Sequence, residues 1–339
     1  MRTGFAIIII ALAAACGGNG GGGGDDGGGG GDDDVHGAPG PYFTNPMFFN
    51  RDVSNTQPSD SSEAMIQSLE DAGGWGNGNV FQMDFSIPVL AADSSTPMKT
   101  FTPTDDFYTP DCDHVPMPIP DGGSVEGEDG YACTGGDDCH LLVFDADAHM
   151  LYEMFKTNIV GDDFEGGCLA TWHTDFAYDN TLRGEQCTSA DAAGFPMAPL
   201  LFTADEVAAG TIDHAIRFIL PNDRIREGYT APATHGTMTS GGSDAPAYGV
   251  HLRLRADYPV DTLPSEGAKV VARALQKYGM YHADGGNIAL TGASDKFTTA
   301  KWDGLLDTHD LRDLQVSDFD VIDEGPMMPV TNDCVRTND

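Results

Sequence analysis

The chain opens with Met1 and Arg2 and then an apolar run from Phe5 to Ala15. That run is too short to span a bilayer, which needs roughly 20 residues. It closes on the small residues Ala13, Ala14 and Ala15, the layout of a secretory signal peptide over residues 1–15. Export constrains the fold, because everything downstream then folds where thiols oxidise. Beyond the signal stand Cys112, Cys133, Cys139, Cys168, Cys187 and Cys334. Six cysteines in an oxidising compartment suggest three disulfides out of fifteen connectivities. Cys133 and Cys139 flank a tight loop and are expected to pair. Cys168 is then expected with Cys187, and Cys112 with Cys334, tying the tail to the early body. No C-x-x-C pair occurs, which argues against a zinc site.

Cys16 follows the small residues directly, and this junction resembles the lipobox of bacterial lipoproteins. The resemblance implies cleavage before Cys16, lipidation of Cys16, and anchoring to a bacterial membrane, at the outer membrane or cell surface. Residues 17–35 are almost entirely Gly and Asp, with no apolar side chain before Val35. Such a segment buries too little to offset its ordering entropy, so a disordered tether is expected over residues 16–40. Its root-mean-square span is on the order of 25 Å. A globular domain is expected over 41–330 and a tail over 331–339.

The chain carries 17 Lys and Arg against 53 Asp and Glu, a formal net charge of −36. Such a surface repels nucleic acid and anionic lipid, so the lipid anchor is the one expected link to a membrane.

Strands dominate the pattern. His140–Asp145 and Leu151–Phe155 read as a hairpin, and Cys168–Phe176 as a further strand. Ile212–Leu220 alternates, with His214 on the apolar face. Tyr248–Ala256 alternates more cleanly, with Val250, Leu252 and Leu254 inward and His251, Arg253 and Arg255 outward. Ile288–Thr291 and Phe319–Ile322 are shorter strands. Helices are few. They are Ser61–Ala72, a short one opened by the capping box Thr203–Glu206 and ended by Gly210, and Pro264–Tyr278, ended by Gly279. The expected fold is mainly β, an antiparallel, jelly-roll-like β-sandwich with a few short helices.

Several segments carry a resemblance. They are HLLVFD from His140 with YEMF from Tyr152, TSADAAGFP from Thr188, GTIDHAIRF from Gly210 and PATH from Pro232. KYGM from Lys277, ADG from Ala283 and SDF from Ser317 complete the set. The set resembles a family of secreted, largely uncharacterised bacterial proteins and covers about Asn45 to Asp323. It implies a single domain and export, and it implies no chemistry. The chain departs from that pattern at Met47–Phe48, where a Trp is expected after Asn-Pro, and at Cys187, where an aromatic residue is expected before Thr-Ser-Ala.

Chemistry is therefore read from residues. His140, Glu153, His173, Asp175 and His235 are the expected catalytic set, because a His beside a carboxylate makes a natural general base. His140 and Glu153 lie on opposite arms of one hairpin. His173 and Asp175 share a strand face, and with His140 they would also suit a metal. Arg183, Arg217, His251, Arg253 and Arg255 are expected to bind ligand, since a groove floored by Arg grips carboxylates bidentately. Ser189 lacks the G-x-S-x-G elbow of a serine nucleophile, and its run reads instead as a capped helical turn. No cofactor is expected, although the loops around Asp121, Glu126–Gly130 and Asp162–Asp163 would suit calcium. No Rossmann fingerprint, P-loop or H-E-x-x-H occurs. The expected function is action on polysaccharide or envelope glycan, an acidic glycan in particular, by hydrolysis or elimination. The alternative is a non-catalytic carbohydrate-binding or adhesion lipoprotein.

Overall fold

Two β-sheets organise the protein. The structure, a computed structural model, describes residues 36–135, 138–322, 325–331 and 333–337. The expected signal peptide, Cys16 and residues 17–35 of the tether lie outside them. In chain order the principal elements are α1 (Ser62–Asp71), β1 (Met83–Ile87), β2 (Val89–Ala92), β3 (Leu141–Asp145), β4 (Met150–Phe155) and β5 (Cys168–His173). Then follow α2 (Ala204–Ala209), β6 (Ile216–Leu220), β7 (His251–Leu254), α3 (Glu266–Lys277), β8 (Met280–Gly285), β9 (Leu290–Ala293) and β10 (Phe319–Ile322).

One sheet has six strands in the order β1-β9-β6-β8-β7-β10, and the other has four in the order β5-β4-β3-β2. The fold is mainly β, as expected, and the expected hairpin forms with Leu142 opposite Glu153. The sheets are mixed, because β1 and β9, β6 and β8, and β2 and β3 pair in parallel. Strands that pair in parallel cannot be joined by a tight hairpin, and long stretches of chain separate these partners, residues 93–140 between β2 and β3 and 221–279 between β6 and β8.

The four-stranded sheet is apolar on both faces. Leu142, Leu151 and Trp172 join the main core, whereas Leu141, Val143 and Met154 face a second cluster with Phe101, Met117 and Phe164. The alternation of the pleat sends neighbours to opposite cores.

The helices follow their sequence signals. Thr203 Oγ1 accepts from the Glu206 amide, the Glu206 carboxylate accepts from the Thr203 amide, and Gly210 closes α2 at φ 87°. The Ser265 hydroxyl accepts from the Ala268 amide and opens α3. Gly279 follows α3 at φ 72°, where a Cβ would stand 2.5 Å from His251 Nε2.

The folded body is wider than expected at both ends. Gly37 N–H donates to Phe297 O at 2.8 Å and Ala38 N–H to Val89 O at 2.9 Å, so order begins before residue 41. The C-terminal segment is built in as well, with Val335–Arg336 pairing with Gly184–Glu185.

Three disulfides form. Cys133–Cys139 is as expected. The other two correct the expectation, because Cys112 bonds Cys168 and Cys187 bonds Cys334. Nearness along the chain misled here. β5 starts at Cys168 and runs beside the segment from Cys112, whose Asp113 N–H donates to Leu169 O at 2.7 Å. Three disulfides fit an extracytoplasmic protein. Among the described residues no helix is long and apolar enough to cross a membrane.

Candidate functional site

A cleft of about 890 Å³ opens where the segment 106–111, the loop 188–192, the end of β8 and the segment 235–238 meet. Its floor is the loop Thr188–Ala192. That loop is a fixed turn, not the expected helical one. Ser189 Oγ donates to Phe195 O at 2.7 Å and accepts from the Asp191 amide at 3.0 Å. Gly194 takes φ 79°, and a Cβ there would meet Thr234 Oγ1 at 2.2 Å, so only glycine fits.

Three of the expected site residues hold this loop in place. Arg183 is buried; its guanidinium donates to Thr188 O at 3.0 Å and to Asp113 Oδ2 at 2.8 Å, and stands over the Trp172 ring. His140 Nε2 lies 3.1 Å from Ala190 O, and its Nδ1 lies 2.6 Å from Glu126 Oε2. His235 Nδ1 lies 3.0 Å from Ala192 O.

Arg217, the second residue of β6, lies beneath the floor. Its Nη2 reaches Asp191 Oδ1 at 2.7 Å and Asp284 Oδ2 at 3.5 Å, while Nη1 donates to Thr291 Oγ1 at 3.1 Å. Asp191 is 1% exposed and lines the cleft, and its Oδ2 has no hydrogen-bond partner. Burial raises its pKa to about 6; the Asp284 charge adds to this and the Arg217 charge opposes it. Burial likewise raises Asp284, against the pull of Arg217. One proton shared by the two carboxyls leaves a locally neutral group around one guanidinium. Two carboxylates at one site favour that arrangement.

Behind the floor, burial opposes ionisation of Glu126, yet the charge and hydrogen bonds of His140 outweigh it and hold Glu126 at about 2. The same pair raises His140 despite its own burial. On the far wall burial lowers His235. With Nδ1–H donating to Ala192 O, the Nε2 of His235 is left as an acceptor.

Among the described residues the cleft lining includes Asp106, Asp111, Asp138, Asp191 and Asp284 and no Lys or Arg. Asp106 is paired with Lys156 at 2.9 Å. Tyr108, 58% exposed, and Phe107 put aromatic rings on the same wall. Two disulfides brace the cleft. Cys112–Cys168 holds one wall, and Cys187–Cys334 ties the floor loop to the segment carrying Val330 and Thr331, which also line it.

Other expected site residues lie elsewhere. Glu153 does not meet His140. It is fully buried, with Oε1 accepting from the Met197 and Ala198 amides at 2.8 Å and Oε2 from Trp172 Nε1 at 3.0 Å. Burial raises it to about 7, against those donors. His173 stacks on Phe176, and Asp175 is exposed, with its carbonyl taken by Asn45. Neither reaches His140. His214 sits 3.2 Å from Glu206.

The expected groove over Arg253 and Arg255 does not form. β7 is buried along its whole length, so its polar face is interior too. Arg253 Nη1 donates to Val53 O at 2.9 Å and Thr56 O at 2.6 Å, and Nη2 to Asp320 at 3.1 Å. His251 is buried, with Nε2 donating to Tyr278 O at 2.7 Å, and burial lowers it to about 3. Arg255 is exposed and pairs with Asp257 at 3.2 Å.

Glu128, in a loop expected to suit calcium, accepts from the Thr134 and Gly135 amides at 2.6 Å. Among the described residues no group of three or more His, Cys, Asp or Glu is placed to hold a metal ion.

Sequence reasoning missed Glu126, Asp191 and Asp284 as site residues. The signal was present in the segments quoted above. His140, Thr188–Asp191, Arg217, His235 and Asp284 come from five of them and converge on this cleft. No protein-family model matches the chain, and no curated protein and no solved structure compared with it matches either.

Proposed function

We propose that this is an exported, lipid-anchored protein that hydrolyses polysaccharide in the acidic cleft, with Asp191 and Asp284 as its working carboxyls. The observation that carries the reading is the pair of carboxyls at the cleft, that of Asp284 partly exposed in the lining and that of Asp191 buried beside it with one oxygen unpartnered. Glycoside hydrolysis needs such a pair. Two carboxyl oxygens that both lie within 3.5 Å of one nitrogen are close enough for the roughly 5–5.5 Å of a retaining pair. Aromatic rings beside carboxylates suit a sugar, which offers an apolar face and hydroxyl edges.

In this mechanism protonated Asp191 gives its proton to the leaving glycosidic oxygen. The Asp284 carboxylate attacks the anomeric carbon as that bond breaks, forming a glycosyl ester. Asp191, now a carboxylate, takes a proton from water, whose oxygen displaces Asp284. Arg217 positions both carboxyls, and Glu126 with His140 fixes the loop that carries Asp191. Elimination on a uronate polymer is disfavoured, because the lining has carboxylates where such a substrate needs cations.

One observation favours the second reading, a non-catalytic glycan-binding lipoprotein. Arg217 at 2.7 Å pulls against a proton on Asp191. The two readings separate on turnover. Neutral, amine-bearing and uronate polysaccharides are incubated with the oxidised protein, and new reducing ends are counted alongside binding. Product that disappears in Asp191→Asn and Asp284→Asn supports the hydrolase. Binding with no product from any polymer supports the binder.

A further inference from the structure

His235 belongs to the cleft lining and takes no part in the chemistry proposed above. The segment that carries it is clamped to the floor loop. Thr234 N–H donates to Ala193 O at 3.0 Å, the Thr234 hydroxyl to Cys187 O at 2.8 Å and His235 N–H to Ala193 O at 3.3 Å. The ring adds its own tie, from Nδ1 to Ala192 O at 3.0 Å. A carbonyl only accepts, so Nδ1 carries the proton and the lone pair stands on Nε2. That Nε2 has no partner among the described residues. Nδ1 of His251 and Nε2 of His282 are unpartnered too, but both of those atoms are buried. His235 differs, because its ring is half-buried in the lining and its spare nitrogen is not sealed inside. Both ring nitrogens of His140, behind the floor, are already engaged. Burial lowers the pKa of His235 from 6.5, against the Ala192 bond and the Asp111 charge, so the imidazole is neutral at neutral pH.

We infer that His235 reads the ligand, its Nε2 accepting a hydrogen bond from a hydroxyl of the bound sugar. The inference rests on the glycan reading, which the hydrolase and the binder share. A lone pair held in one direction selects among hydroxyls by their position. The carboxylates of the lining offer about four lone-pair sites each and select less sharply. An acceptor whose place is set before binding also loses little ordering entropy when the ligand arrives. Sugar pockets place a few such polar groups among apolar ones to fix orientation. His235 thus sets specificity, while the carboxyl pair is left to the bond that breaks.

The test is calorimetric binding of three neutral probes, cellotetraose, maltotetraose and the N-acetylglucosamine tetramer, to the oxidised full-length protein at neutral pH. His235→Asn is the informative variant, because its amide nitrogen still donates to Ala192 O while nothing stands at the Nε2 position. The expected result is binding of the tightest probe weakened about five- to tenfold, the worth of one hydrogen bond. A second measurement needs no variant. Diethyl pyrocarbonate acylates neutral, open imidazoles, and mass mapping follows His235 against the exposed His149. A saturating probe should slow reaction at His235 severalfold and leave His149 unchanged. If His235→Asn does not fold, this protection decides alone. Unchanged affinity in folded His235→Asn, or a His235 rate that the saturating probe does not slow, overturns the inference and leaves the glycan reading standing. No reaction of His235 in the free protein overturns it as well, since Nε2 is then closed. Binding of none of the probes to a folded, disulfide-bonded sample overturns the glycan reading for neutral sugars, and the inference falls with it.

Discussion

Asp191 and Asp284, 93 positions apart in the chain, meet at a single nitrogen of Arg217, at 2.7 and 3.5 Å. Burial raises both carboxyls, the Asp284 charge adds to the rise at Asp191, and the proposed chemistry depends on it. If Asp191 delivers a proton, cleavage requires its protonated form. Turnover should therefore fall as pH rises through about 6, the value to which burial raises Asp191 from 3.8. The acid limb belongs to the pair, whose members titrate together. A pH profile of kcat/KM checks this, and in Asp284→Asn, which removes the neighbouring charge and is expected to be inactive, the Asp191 carboxyl should titrate lower when followed by NMR.

The pair Glu126–His140 should govern stability toward acid. Glu126 is held at about 2 against an ordinary 4.5, so its contribution is present above 4.5 and is lost as pH falls toward 2. The loss amounts to about 3 kcal/mol. His140 is raised from 6.5, so its contribution is full below 6.5 and fades as pH rises through its folded value. Urea unfolding should thus show greatest stability from this pair between about 4.5 and 6.5. Glu126→Gln should flatten the acid side of that curve.

Arg253 should behave as a structural residue. It is 6% exposed and satisfies backbone carbonyls of Val53, Ser54 and Thr56. Arg253→Met strands those carbonyls and leaves Asp320 without this partner, at a cost of roughly 3–5 kcal/mol in unfolding free energy. Glycan affinity of the folded fraction should be unchanged. A weaker Kd with normal stability would return Arg253 to the ligand site.

Much of the fold was legible and much of the site was not, for one physical reason. Local pattern reports local structure. Leu141–Asp145 and Met150–Phe155 are short apolar runs that pair across a short turn, and Thr203, Glu206 and Gly210 cap α2 as their spacing predicts. The face of Arg253 was misread because β7 is covered on both sides, and one cover arrives from residues 53–56. Period two locates a face but not what covers it. The pairing of Cys112 with Cys168 and of Cys187 with Cys334 follows strand adjacency, which spacing does not encode. Asp111, Asp191 and Asp284 come from three distant segments, and no single run announces their meeting.

The disulfide Cys187–Cys334 spans 147 positions and ties the floor loop of the cleft to the C-terminal segment. Closing a loop of that length limits the unfolded chain, so Cys187→Ala with Cys334→Ala should cost on the order of 4–5 kcal/mol. Glycan affinity should fall as well, because Val330 and Thr331 line the cleft and lose their tie to its floor. Denaturant midpoints and binding isotherms of the double variant check the two effects separately.

Release of reducing ends from a polysaccharide by the oxidised protein, set against Asp191→Asn under the same conditions, tests the central claim most directly. The account expects cleavage of one substrate class and a loss of about 10²–10⁴-fold in the variant, the usual worth of a positioned general acid, with binding and fold retained. Equal cleavage by Asp191→Asn, or no cleavage of any polymer by the folded protein, would contradict it.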